Sequence, residues 1–164
     1  MKLESLKDLY LEQLKDLYSA ETQLVDALPK MAKAAHSPDL QNGFNQHLRE
    51  TQEHVSRLER IFKDLGESPK GHTCEGMKGL IKEGEEMIKM KGEPPVLDAG
   101  LIACAQRVEH YEIAGYGTVR TYAELLGRTE HVSLLERTLQ EEEATDGKLT
   151  ALAQSHVNEE ALVR

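Results

Sequence analysis

The sequence has 164 residues and carries 29 acidic against 20 basic side chains, a formal charge of −9. Its long-range field therefore repels phosphate backbones and anionic membrane surfaces, which disfavours nucleic acid or a membrane as partner. Two cysteines make no disulfide framework, no apolar run approaches the ~18 residues of a bilayer span, and the acidic start lacks the apolar segment of a secretory leader, so a cytoplasmic protein is expected.

Trp is absent and Phe occurs only twice, while Leu, Ala, Glu and Lys dominate, a composition suited to packed helices in one domain over residues 1–164. Leu3, Leu6, Tyr10, Leu14, Leu17, Leu24 and Leu28 recur at helical spacing and predict a first helix over about residues 2–35. Pro29 lies inside it, and an interior proline costs about 3 kcal/mol, so a kink or a restart is expected there. Ser37 and Pro38 supply a cap and a first-turn proline for a second helix over about 38–65, carried by Phe44, Leu48, Val55, Leu58, Phe62 and Leu65 and stopped at Gly66.

After a loop from Glu67 to Thr73, a shorter amphipathic helix over about 74–91 is marked by Met77, Leu80, Ile81, Met87 and Ile88 and closed by Gly92 and the Pro94-Pro95 pair. Leu101, Ile102, Ala105, Val108, Ile113, Tyr116, Val119 and Leu126 define a long helix over about 96–126 that ends at Gly127. Thr129 is placed to cap the last helix, about 130–157, through Val132, Leu135, Leu139, Leu149 and Leu152, and the remaining tail is expected to fray. The connection between the second and third long helices, with its short fifth helix, is long enough to cross the bundle end to end. A single crossover of that kind is the ferritin-like variant of an all-α four-helix bundle.

Chemistry enters where the apolar stripes are interrupted, because a carboxylate on a core face must be neutralised, paired or bound to metal. Glu21 falls between Leu17 and Leu24; Glu112 shares a stripe with Val108 and Val119, with Glu109 one turn away. Glu142 and the Thr145-Asp146 pair are bracketed by Leu135, Leu139, Leu149 and Leu152, while Glu50 and His54, with Glu53 alongside, lie between Leu48 and Leu58. Each interruption comes near the middle of its helix, so in an antiparallel bundle all four meet at one height. One such Glu alone reads as a stripe-edge residue with a solvated head; four together point to metal.

Two divalent cations bridged by carboxylates take one Glu from each of two helices and a two-ligand motif from each of the others. Glu21 and Glu112 fit the first role, and Glu50 with His54 and Glu142 with Asp146 the second, at i,i+4 spacing. Glu50 with Glu53 and Glu143 with Asp146 keep i,i+3 spacing and stand as alternatives. Oxygen-rich ligation with at most one imidazole suits iron or manganese, so two iron ions are expected, with manganese as the other option. His47, His110, His131 and His156 have no stronger claim than His54, and Tyr18, Tyr111 and Tyr116 read first as packing residues.

The runs DLYSAETQLVDALPKMAKAA, FNQHLRETQEHVSRLERIF, ACAQRVEHYEIAGYGTVR and LLERTLQEEEATDGKLTALA resemble the YciF-type bacterial stress-response proteins, a ferritin-like family of undefined activity. The resemblance covers nearly the whole chain and implies a homodimeric cytoplasmic protein with a dinuclear metal centre, whose carboxylates correspond to Glu21, Glu50, Glu109, Glu112, Glu142 and Asp146. Two functions follow as expectations. One is a di-iron protein that reacts with peroxide or dioxygen; the other is a non-enzymatic dimeric stress protein whose metal is structural and whose surface binds a partner.

Overall fold

The computed structural model describes residues 2–162, which are helical wherever they are regular. Helix α1 (Leu6–Ala34) starts at Ser5, whose hydroxyl accepts from the Asp8 N–H at 3.2 Å while the Asp8 carboxylate accepts from the Glu4 N–H at 3.0 Å. The reciprocal cap satisfies donors that the first helical turn leaves unpaired. Pro29 causes no restart: it sits on the exposed side, and the burial of Leu28 and Ala32 on either side holds one continuous helix.

Helix α2 (Pro38–Leu65) has the expected Ser37 cap and first-turn proline, and it ends at Gly66 with φ of 66°, a left-handed conformation that glycine adopts without a Cβ clash. Helix α3 (Glu75–Lys89) is capped by the Cys74 sulfur, which accepts from the Met77 N–H at 3.4 Å. Helix α4 (Pro94–Leu125) begins two residues earlier than expected, using its proline pair as the first turn. Helix α5 (Thr129–Leu152) takes Thr129 as its first residue instead of its cap; Arg128 holds the cap position without a side-chain hydrogen bond. The last turn of the expected final helix is a π-turn (Ala153–Val157), anchored by Val157, which is 1% exposed, and a short helix α6 (Asn158–Leu162) occupies the start of the segment expected to fray.

Packing pairs α1 with α2, α4 with α5, α1 with α4 and α2 with α5, which closes a four-membered ring of helices. Directions follow from contacts at the ends. The His36 and Ser37 N–H groups just after α1 donate to the Asp98 carboxylate near the start of α4, at 2.9 and 2.7 Å, so α1 and α4 are antiparallel. Arg60 near the end of α2 pairs with Glu130 at the start of α5, so these two are antiparallel as well. Helices α2 and α4 consequently run the same way, as a long crossover requires, and α3 within that crossover packs on α4 and α1. This is the ferritin-like arrangement.

The core is divided in two. One cluster, including Leu24, Leu28, Leu40, Phe44, Met77, Leu101, Val108 and Leu149, lies at the end where α1 finishes and α2 and α4 start. The other, including Tyr10, Leu14, Leu58, Ile61, Phe62, Val119 and Leu135, fills the opposite end. Between them the inner faces turn polar.

Candidate metal centre

At this waist each long helix carries acidic or imidazole side chains on the face that is apolar above and below. Helix α1 contributes Glu21 in the Leu17–Leu24 stripe, α4 contributes Glu109 and Glu112 between Ala105 and Tyr116, and α5 contributes Glu142 between Thr138 and Thr145. Helix α2 contributes His47 and His54, on a buried line that runs Phe44, His47, Thr51, His54, Leu58. Glu21, His54, Glu112 and Glu142 are wholly inaccessible to solvent, and His47 and Glu109 nearly so.

The six side chains fall into two overlapping groups. His47, Glu109, Glu112 and Glu142 form one, Glu21, His54 and Glu142 the other, with one donor atom from each residue lying within 4.8 Å of the rest of its group. His47 Nε2 is 2.9 Å from Glu109 Oε1 and 4.0 Å from Glu142 Oε2; His54 Nδ1 is 3.2 Å from Glu21 Oε1 and 2.9 Å from Glu142 Oε1. Glu142 belongs to both groups and is placed between them.

These approaches do not satisfy the atoms involved. Among the described residues, the buried side-chain nitrogens and oxygens that lack a hydrogen-bond partner are Glu21 Oε2, both nitrogens of His47, His54 Nδ1, Glu109 Oε2, and both oxygens of Glu112 and of Glu142. All belong to this one cluster. Buried polar atoms are nearly always hydrogen-bonded, so so many orphans converging on one point mark a place built for a ligand. Four carboxylates and two imidazoles offer the donor set of a hard or borderline divalent cation, and the shared Glu142 offers a bridge between two of them.

Electrostatics point the same way. Burial pushes the Glu109 carboxyl up to about 8, and burial together with the neighbouring Glu142, Glu21 and Glu109 charges holds Glu112 well above the usual carboxylate range. Glu142 is raised too, by burial first and then by Glu109. Burial alone would lower His54, but the Glu21 and Glu142 carboxylates beside it overcome that and raise it to about 11. Without cations the cluster keeps protons in order to stay together.

Around His54 the support is complete. Its Nε2 lies 2.9 Å from Glu141 Oε2, and Arg57 donates to both oxygens of Glu141, at 2.6 and 3.0 Å, and to the Thr138 hydroxyl. Burial opposes ionisation of Glu141, but those Arg57 and His54 contacts bring it down to about 2. A carboxylate on one imidazole nitrogen fixes the other as the free donor, aimed at the cluster. Tyr116, stacked edge-on against His54 with ring centres 6.2 Å apart, donates its hydroxyl to Glu21 Oε1.

Of the residues proposed from sequence, the structure brings together Glu21, His54, Glu109, Glu112 and Glu142. Glu50 and Asp146 lie outside the group. Glu50 is half-buried and accepts from Gln46 at 2.9 Å and Thr145 at 3.3 Å, while Asp146 faces Gln106 at 3.2 Å and His110 at 3.3 Å. The alternatives Glu53 and Glu143 are exposed. Tyr18 and Tyr111 hydrogen-bond Glu59 and Asp16, away from the centre. His47 is the member that sequence reasoning passed over. The available signal was its spacing from Thr51, His54 and Leu58, the i, i+4, i+7 and i+11 positions of one helix face.

The chain matches the family model described as Domain of unknown function (DUF892) over residues 5–162. It is 44% identical over 162 residues to Protein YciF of Escherichia coli K12, covering 98% of each chain. The crystal structure of the E. coli stress protein YciF superposes with a TM-score of 0.91 over 94% of this chain and 98% of that one. The structure of YcfI from Rhodopseudomonas palustris does so with a TM-score of 0.87 at 45% identity, over 91% and 95%. At these identities and coverages the likeness extends to the whole helical framework.

Proposed function

We propose that this chain, which belongs to the DUF892 family and is related to the stress protein YciF, holds a dinuclear metal centre, di-iron by its donor chemistry, and reacts with peroxide or dioxygen. The single observation that carries this reading is the set of unsatisfied donor atoms on six converging side chains. His47, Glu109 and Glu112 would hold one cation, Glu21 and His54 the other, and Glu142 would bridge them. Manganese suits the same donors.

Bound iron would supply electrons to an oxidant; the protein's part is to hold the site. Glu141 and Arg57 orient His54, Tyr116 orients Glu21 by donating its hydroxyl to Oε1, and the two apolar clusters exclude water above and below. The same reading takes the protein as a cytoplasmic homodimer, which size-exclusion chromatography with light scattering would test.

The functional test is anaerobic loading with Fe(II) followed by peroxide. About two ferrous ions bound per chain and repeated oxidation with an added reductant are expected. Failure to bind iron or manganese would remove the centre; binding with a single stoichiometric oxidation would leave the metals a structural role and move the function to the surface.

A further inference from the structure

A cavity of about 310 Å³ adjoins one side of the centre, where His47 and Glu109 form part of its wall. That volume lies at the lower end of small-molecule pockets, which run from roughly 300 to 1,000 Å³. Its walls are hydrocarbon, with Leu28, Phe44, Leu80, Ile81, Val108 and Leu149 drawn from all five long elements. The lining follows α1 from Leu24 to Met31 and α5 from Thr145 to Leu152, so it extends along the bundle axis for about 10 Å at the helical rise. Polar side chains are the minority of the lining, Glu50 and Thr145 among them. The inner end is bounded by buried His47 and Glu109, and the rim by exposed Asp39, Asn42, Gln46 and Lys148.

We propose that this cavity binds a straight-chain aliphatic compound, its head at the rim and its chain end beside His47 and Glu109. In that last respect the proposal rests on the metal-centre reading. A long apolar cavity gives water no partners along its walls, whereas an alkyl chain gains contact along its whole length. The rim carries Lys30 and Lys148 beside Asp39, Glu50 and Glu85, with Lys30 already paired to Glu85 at 2.9 Å, so recognition falls on the chain and not on the charge of the head. The cavity thus defines a substrate class for the centre: aliphatic chains delivered end-on.

Two glycines make the test clean. Both line the cavity; a Cβ on Gly43 would meet nothing within 4 Å, and one on buried Gly84 would meet only Met31 Sδ at 3.6 Å, so each position has room for a side chain at the cavity wall. N-decyl dansylamide, whose label sits at the head of the chain, is titrated into Mn(II)-loaded full-length protein and displaced with decanoate or 1-decanol. Saturable binding and displacement by either compound are expected, with probe affinity weakened about tenfold or more in Gly43→Leu and Gly84→Leu while their metal content stays that of the parent. No saturable binding, or unchanged affinity in both variants, overturns the proposal. The same titration on metal-free protein separates the two readings, since a protein that takes no metal can still bind the probe. With Mn(II) in place, proton relaxation of bound decanoate should be fastest at the terminal methyl; fastest relaxation beside the carboxylate would overturn the orientation.

Discussion

His47 and His54 lie on the same face of α2, yet the two sides of the centre that they serve are built differently. On the His54 side every group is held by another: Glu141 on the ring's far nitrogen, Arg57 on Glu141, Tyr116 on Glu21. On the His47 side neither ring nitrogen has a hydrogen-bond partner, and the ring forms part of a cavity wall. One side is fixed in advance and sealed; the other is free to adjust and open to a ligand. Under the proposed function, in which the centre both retains cations and admits a reactant, that division would put retention beside Tyr116 and access beside Phe44.

The residue common to both sides gives the largest expected effect. Glu142→Ala should remove both cations, measured by elemental analysis after anaerobic loading, while far-UV circular dichroism keeps its helical signal. Retention of a full complement would sink the bridging role. Next come His54→Ala and His47→Ala, each expected to lose about one cation per chain, which breaks the centre into its halves. If both variants lost everything, the two sides would be one cooperative unit and the comparison would fail.

A smaller effect should appear one layer out. Glu141→Gln keeps the size of the side chain but loses the charge that orients His54, and such supporting contacts are worth about 10- to 100-fold in metal affinity. Competition with a chelator would measure it, and the weakening should be confined to one of the two cations. An affinity unchanged in Glu141→Gln would mean that packing against Tyr116 alone positions the ring.

The helices were legible because leucine-rich stripes repeat at helical spacing, Glu21 and Glu112 because apolar residues flank each at three or four positions, and Glu142 because Leu135 and Leu149 bracket it at seven. Helix α2 was harder for a physical reason. From Asn45 to Arg57 its only aliphatic residues are Leu48 and Val55, both half-buried and off the inner face, so the stripe had no reliable marker where the centre lies. The inferred face was rotated toward Glu50, and His47 was lost. In α5 the adjacent pair Thr145-Asp146 posed the same problem. Thr145 is buried and Asp146 half-buried, and only contact with α4 tells them apart. Pro29 shows the complementary case, in which burial of neighbouring residues overrides a local signal.

The last prediction uses protons to probe the cluster without a mutation. Glu109, on the cavity side, is raised from the ordinary 4.5 to about 8 by burial, so the folded metal-free protein binds a proton that the unfolded chain has released. Its contribution to stability is complete below pH ~4.5 and is lost as pH climbs through 8, and the raised Glu112 and Glu142 act in the same sense. Glu141, on the sealed side, is lowered to about 2, so its contribution is present above 4.5 and lost only as pH falls toward 2. Between pH 5 and 8, therefore, the raised carboxyls of the cluster titrate in a direction that destabilises the fold, joined above about 6.5 by His54, which is raised to about 11. The metal-free Tm should fall across that interval by several degrees in calorimetry. Bound cations displace the same protons, so in the loaded protein the fall should shrink or vanish and metal affinity should rise with pH. A metal-free Tm that rises from pH 5 to 8 would mean that the carboxylates are ionised and paired as they stand, and that the waist of the bundle needs no cation to hold it together.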